Sequence, residues 1–221
     1  MISTTTRTGL GLAAALTASS AFAQFTYVAS PPGNELGHAA ILSNALGESV
    51  SRSGKWDFIG ESVSAIRTGG DAVWDAGTYR ATMLARQAGY RHHFGTLQDG
   101  DFDKLLKSTN IGSSTTVSMD DEFSWAIQNY KRNGGARYSS NPADNWNKRD
   151  HMVTYTLYEN NRKTGYAVFF EDIGGKHSDR DFNDVAVGLT IVPTPQAALL
   201  GLAGLGGMGV LAGRRRNAPT V

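Results

Sequence analysis

The chain of 221 residues contains no cysteine. Without thiols it can form neither a disulfide framework nor a zinc–thiolate site, and it has no cysteine nucleophile. A chain of this length can bury a substantial core. A domain without disulfides would therefore be stabilised by that core or by bound metal.

Clusters of basic residues are also missing from the body of the chain. The sequence has 21 Lys and Arg against 20 Asp and Glu. Four of the arginines, Arg7 and Arg214 to Arg216, lie in terminal segments that contain no acid, so the middle of the chain has a formal charge of −3. No basic stripe remains for a nucleic acid, and we expect no nucleic-acid partner.

Signals for catalysis are weak. No G-x-S-x-G nucleophile turn is present. His92 and His93 are adjacent and would point to opposite faces of a strand, which makes them a poor joint metal site. Paired carboxylates could serve a glycosidase, but their separation in space cannot be read from the sequence. We predict a protein that is not an enzyme.

Residues 1–23 have the three parts of a signal peptide. Arg7 supplies the positive charge, Leu10 to Ala18 the short apolar stretch, and Ala21-Phe22-Ala23 a cleavage site before Gln24. This order predicts an N-terminal signal helix that signal peptidase removes during export.

Residues 192–221 resemble a second targeting signal. Pro193-Thr194-Pro195 cannot continue a strand. The uncharged residues 196–213 are just long enough for a transmembrane helix, and Arg214 to Arg216 would remain cytoplasmic. This arrangement is similar to the PEP-CTERM sorting tail of Gram-negative bacteria, although that family usually has Pro-Glu-Pro. The resemblance implies processing by an exosortase-type enzyme and delivery to the cell surface or extracellular matrix.

Between these ends the sequence alternates between apolar and polar residues, as β-strands do. Clear examples are 78–86, 122–128, 151–158, 166–170 and 185–191. Helical signals are limited to Glu35–Leu46, closed by Gly47, and a short turn at Phe102–Lys107, while 133–148 resembles a long exposed loop. The pattern predicts one all-β domain over residues 24–191, an antiparallel β-sandwich or jelly roll.

The strongest chemical signal is the acidic stretch that ends at the last predicted strand. Oxygen-bearing side chains alternate at Asp179, Asp181 and Asn183, which is the spacing that opens a calcium loop, and Phe182 would turn toward apolar surroundings. The stretch is not an EF-hand, because Asp184 stands where that loop needs glycine and Thr190 where it needs glutamate. The candidate Ca²⁺ ligands are Asp179, Asp181, Asn183, Asp184, Glu171 and Asp172. A solvated acidic turn with local hydrogen bonds is the alternative.

A second, weaker candidate repeats the same pattern. Asp99, Asp101 and Asp103 surround Gly100 and Phe102. They could form a second calcium loop or complete the first site. An ordinary Asp-Gly turn would explain the same residues.

The segment VFFEDIGGKHSDRDFNDVAVGL resembles the closing motif of the bacterial domain of unknown function 4114 family. The residues that match are Phe170, Glu171, Asp172, Asp179, Asp181, Phe182, Asn183 and Asp184. The resemblance implies an extracellular β-sandwich of surface or matrix proteins, with calcium binding and no established reaction.

These observations predict an exported, surface-sorted, non-catalytic protein with a structural or adhesive role in the cell envelope or extracellular matrix. A carbohydrate-binding module is the main alternative, followed by a glycan-active enzyme, and an extracellular polysaccharide is therefore a candidate partner. Trp125, in an alternating run, is expected in the core. Trp146, in a polar segment, is the better candidate for contact with a ligand, although it could equally anchor its loop.

Overall fold

The computed structural model describes residues 27–54, 57–130 and 135–193. The predicted signal peptide (1–23) and the predicted transmembrane segment (196–213) lie outside these ranges. Within them, no helix has the length and apolar character needed to cross a membrane.

The described ranges contain one α-helix, twelve strands and two short 3-10 turns. The helix α1 is His38–Leu46. The strands are β1 (Ser51–Ser53), β2 (Asp57–Ile59), β3 (Val63–Thr68), β4 (Gly77–Arg86), β5 (His92–Gln98), β6 (Asp101–Lys107), β7 (Ser114–Met119), β8 (Ser124–Asn129), β9 (Arg137–Ser139), β10 (Met152–Glu159), β11 (Arg162–Phe170) and β12 (Val185–Ile191). The 3-10 turns are Pro142–Asp144 and Gly175–His177.

The strands form two antiparallel sheets. The large sheet has the order β1-β2-β3-β10-β11-β12-β4-β7, and the small sheet has the order β6-β5-β8-β9. Their facing surfaces share one apolar core, so the predicted all-β sandwich is confirmed.

The core between the sheets follows the alternation in the sequence. Tyr79, Ala81 and Met83 of β4 point into it, as do alternate residues of β11 and β12. Trp125 of β8 is fully buried and stacks on Phe94 with ring centroids 5.1 Å apart. Its predicted place in the core is therefore confirmed.

The opposite face of the large sheet is also buried. Ile41 and Leu42 of α1 pack with Val153 and Phe169 in a second apolar cluster, to which Phe182 belongs. Strands β10 and β11 consequently bury side chains on both faces. The molecule thus has three layers: the small sheet, the large sheet, and a cover made by the helix and loops.

Three local predictions need correction. The helix begins at His38 rather than Glu35, because Gly37 occupies the N-cap position in an extended conformation; Gly47, in a left-handed conformation, ends it as predicted. Residues 102–107 are in strand β6, not a helical turn, because they pair with β5 across a tight hairpin. The predicted loop 133–148 contains strand β9 and a 3-10 turn within its described part.

Candidate metal centre

The acidic loop, residues 171–184, joins two neighbouring strands of the large sheet. Phe170, the last residue of β11, pairs with Val185, the first residue of β12. The two ends of the loop must therefore meet. Asp172 N–H donates a 2.8 Å hydrogen bond to Asp184 Oδ2 across this junction.

The first carboxylate group consists of Glu171, Asp172 and Asp184. Each offers an oxygen within 4.8 Å of the others. Glu171 and Asp172 are only 3% and 1% exposed. The backbone N–H of Arg180 donates to Glu171 Oε2 over 3.0 Å, which folds the loop back over its own start.

The small sheet contributes one histidine to this group. His92, at the start of β5, lies with Nε2 2.8 Å from Asp172 Oδ2, and both side chains are buried. In the described part of the chain, no lysine or arginine forms a salt bridge with the loop's acids. The negative charge of the loop is therefore not balanced by any described lysine or arginine.

The second carboxylate group consists of Glu35, Asp179 and Asp181, again with oxygens within 4.8 Å of one another. Glu35 comes from the segment before α1. Asn183 Nδ2 donates to Glu35 Oε2 over 3.3 Å and to the carbonyl of Leu36 over 3.2 Å. This group therefore links the N-terminal segment to the acidic loop.

Two left-handed residues shape the loop between these groups. Arg180 and Phe182 have φ values of 60° and 54°, which are uncommon for residues other than glycine. This conformation places Phe182 in the second apolar cluster, as predicted, while the flanking residues Asp181 and Asn183 remain with the polar groups. Asp181 Oδ1 accepts a 3.2 Å hydrogen bond from Asn183 N–H.

His38 holds Phe182 in this position. Its Nε2 lies 3.1 Å from the carbonyl oxygen of Phe182, and its Nδ1 lies 2.8 Å from the hydroxyl of Tyr155. Because a carbonyl can only accept, Nε2 carries the proton and Nδ1 accepts from Tyr155. Burial lowers the pKa of His38 to about 3, so the ring is neutral at pH 7.

Burial and mutual repulsion raise the pKa of three of the acids, Glu171, Asp181 and Asp184. The pKa of Glu171 rises to about 8, first through burial and then through Asp179. Burial, followed by the charge of Asp172, raises the pKa of Asp184 to about 9. The pKa of Asp181 rises to about 7, mainly through burial. Without a counter-charge, part of this loop would be protonated at neutral pH.

Three buried oxygens among these residues have neither a hydrogen-bond partner nor an ion pair. They are Asp172 Oδ1, Asp181 Oδ2 and Asn183 Oδ1, whereas Asp172 Oδ2 faces His92. Buried polar atoms are normally paired, so unpaired oxygens beside repelling carboxylates fit a bound cation. The oxygens of each carboxylate group also lie close enough together to contact a single ion.

The second predicted candidate lies elsewhere in the fold. Asp99 and Gly100 are both left-handed and form the turn between β5 and β6. Asp101 and Asp103 continue along β6 opposite Gln98 and Thr96. Asp99, Asp101 and Asp103 belong to neither carboxylate group, and their geometry is that of a tight hairpin.

All six residues of the first prediction lie in the acidic loop, and the structure assigns five of them, the carboxylates, to two separate groups. The sixth, Asn183, is bonded to Glu35. Sequence reasoning missed Glu35, His38 and His92 as parts of the site. Only Glu35 had a local signal, as an acid at the start of a predicted helix.

The fold and site together define an antiparallel β-sandwich with a buried acidic loop. Residues 87–191, just under half of the chain, match the family described as Domain of unknown function (DUF4114). The predicted resemblance to this family is therefore confirmed over these residues, which include the acidic loop. No curated protein matches the chain.

Proposed function

We propose that this protein is an exported, surface-sorted, non-catalytic β-sandwich whose acidic loop binds Ca²⁺, and that it has a structural or adhesive role in the cell envelope or extracellular matrix. The main observation that supports calcium binding is a set of unpaired buried oxygens. Buried oxygens of Asp172, Asp181 and Asn183 lack hydrogen-bond partners among carboxylates that no described lysine or arginine neutralises.

The donor set favours calcium over softer metals. The candidate ligands are carboxylate and amide oxygens, and the chain has no thiol. One ion would be held by Glu171, Asp172 and Asp184. A second would be held by Glu35, Asp179 and Asp181, with Asn183 as the nearest amide. Calcium takes about six to eight oxygens, so water or backbone carbonyls would complete each shell.

The positions of these ligands in the fold indicate which parts of the domain bound calcium would connect. The first group belongs to the junction of β11 and β12, and the second joins the segment before α1 to the same loop. Bound calcium would therefore fasten the cover layer to the large sheet. This would replace the cross-links that a disulfide-free exported domain lacks.

Export and surface sorting rest on the two terminal signals. Signal peptidase would remove residues 1–23. An exosortase-type enzyme would process the PEP-CTERM-like tail, residues 192–221, which carries the transmembrane segment 196–213. The acidic body of the chain, with a formal charge of −3 between these segments, supports a role that does not involve nucleic acid.

Thermal unfolding in calcium and in chelator tests the metal assignment. A hundredfold excess of calcium over its dissociation constant should stabilise the wild type by about 2.7 kcal/mol. Asp181→Asn should reduce this gain, because it removes a charged ligand and nearly preserves shape. In chelator the same variant should be slightly more stable than wild type, because repulsion within the loop is relieved.

Asp120→Asn is the matched control, because Asp120 is an exposed acid outside both carboxylate groups. It should leave the calcium gain unchanged. An identical wild-type midpoint in calcium and in chelator would show that the loop is only a hydrogen-bonded acidic turn.

A further inference from the structure

Trp146 is unusually exposed for its size. It lies between the 3-10 turn Pro142–Asp144 and strand β10, and its side chain is 70% exposed. No large apolar residue in the described ranges is more exposed. At this exposure, burial of the side chain does little to anchor the loop, and the ring is available for contact with a ligand.

The backbone around Trp146 is fixed by its neighbour Asn145. This side chain is 1% exposed and is hydrogen-bonded on both sides of its amide. Its Oδ1 accepts from Ser139 N–H over 2.7 Å, and its Nδ2 donates to the carbonyls of Ser139 and Arg149 over 2.9 and 2.8 Å. The loop is therefore tied to strand β9 rather than free.

One edge of the indole is held by the acidic loop. A Cβ atom at Gly174 would lie 2.9 Å from Trp146 Cζ2 and 3.2 Å from its Nε1. The backbone N–H of Gly174 donates to the Tyr138 hydroxyl over 3.2 Å, which fixes Gly174 beside the ring. One edge of the indole is thus packed against the acidic loop, while the side chain as a whole remains exposed.

Two clefts lie in this part of the surface. One, of about 460 Å³, is lined by Trp146 together with Arg137, Asp144 and Asn145. The other, of about 410 Å³, begins at the next residue, Asn147, and includes Arg149 and Asp150. Charged groups of both signs, with amides, therefore flank an exposed aromatic surface.

We propose that Trp146 is a stacking platform for the pyranose rings of a polysaccharide. The C–H groups on one side of a sugar ring match the negative face of an indole. The hydroxyls of the sugar can donate hydrogen bonds to Asp144 and accept them from Arg137 or Asn147. A protein partner would need a larger apolar patch than one tryptophan among charged residues. The proposal goes beyond the structural role above and does not require the metal.

Affinity electrophoresis in saturating calcium tests the platform. The probes are a soluble β-1,4-glucan, a galactomannan, dextran and the polyuronate alginate, which separate neutral from acidic pyranoses. The wild type should be retarded by at least one of them. Trp146→Ala should weaken that binding at least about tenfold, as expected when a central aromatic contact is removed. Trp146→Phe should retain most of it.

Tyr130→Ala is the control, since Tyr130 is 49% exposed and lines neither cleft. It should bind like the wild type, and all variants should unfold at similar temperatures. Absence of retardation by every probe would overturn the proposal, as would equal binding by Trp146→Ala. Binding of alginate alone that survives Trp146→Ala and disappears in chelator would assign recognition to the cation and would also overturn it.

Discussion

The contact between Asn183 and Glu35 brings together residues separated by 148 positions. The Nδ2 of Asn183 donates hydrogen bonds to Glu35 and to the carbonyl of Leu36, whereas its buried Oδ1 has no hydrogen-bond partner. The amide therefore orients Glu35 toward Asp179 and Asp181 and offers an oxygen of its own. Because Glu35 is exposed, we expect it to contribute to stability by binding a cation rather than by packing.

Glu35→Gln tests this role of a single residue. The variant should have nearly the same stability as wild type in chelator, because an exposed side chain contributes little to packing. If loss of the charge weakens calcium binding tenfold, the stabilisation by excess calcium should fall by about 1.4 kcal/mol. Calcium titration followed by thermal unfolding measures both quantities.

Glu159→Gln provides the comparison for this experiment, because Glu159 is an exposed glutamate at the end of β10. Its calcium gain should match that of the wild type. An unchanged gain in Glu35→Gln would remove Glu35 from the ligand set and leave the acidic loop as the only source of ligands.

The acidic loop behaves as one element because its ends meet where β11 pairs with β12. Its carboxylates, although they form two groups, therefore lie close enough for their charges to interact. The pKa of Glu171 is raised to about 8 and that of Asp184 to about 9. The metal-free folded state thus holds protons that the unfolded chain releases near pH 4.

This difference predicts how stability depends on pH. Between pH 7 and 9 the metal-free folded state binds more protons than the unfolded state, so its stability should fall as pH rises. The buried His38, whose pKa is lowered to about 3, does not contribute in this window, because it is neutral in both states above its ordinary pKa. Calcium needs deprotonated carboxylates, so its stabilising effect should be larger at pH 9 than at pH 7.

Thermal unfolding at several pH values, in chelator and in calcium, measures both trends. Glu171→Gln should make the chelator curve shallower, because it removes one of the groups that titrate in this window. A metal-free midpoint that stays level or rises from pH 7 to pH 9 would contradict the buried, mutually repelling arrangement of the acids.

For the molecule as a whole, the domain is larger than the segment that matches the family. The match begins at Gln87, after β4, yet β3 and β4 are inner strands of the large sheet and α1 covers its outer face. The acidic loop also draws Glu35 and His38 from before the matched segment. The predicted mature domain, residues 24–191, includes all of these parts.

Intact-mass spectrometry of the protein recovered from the surface of its native host tests this processing. The mature chain should begin at Gln24 and end near Pro195. Cells without the exosortase-type enzyme should retain a membrane-associated form. Surface protein that still extends from Met1 to Val221 would remove the sorting proposal and leave the fold unaffected.

Local patterns in the sequence were sufficient to predict five of the twelve described strands, β4, β8, β10, β11 and β12, and much of the core. Alternation is a property of neighbouring residues, and it correctly placed Tyr79, Met83 and Trp125 inside. The spacing of Asp179, Asp181 and Asn183 likewise marked the acidic loop and the inward turn of Phe182. Where a local pattern was ambiguous, as at 102–107, strand pairing with β5 decided the conformation.

Only the tertiary structure decided which distant groups meet. Asp172 and Asp184 are brought together because β11 and β12 are neighbours, and His92 reaches Asp172 because the small sheet packs on the large one. Glu35 and His38 reach the loop because α1 covers the other face of the large sheet. Such contacts depend on how complete layers pack, which no short period in the sequence records.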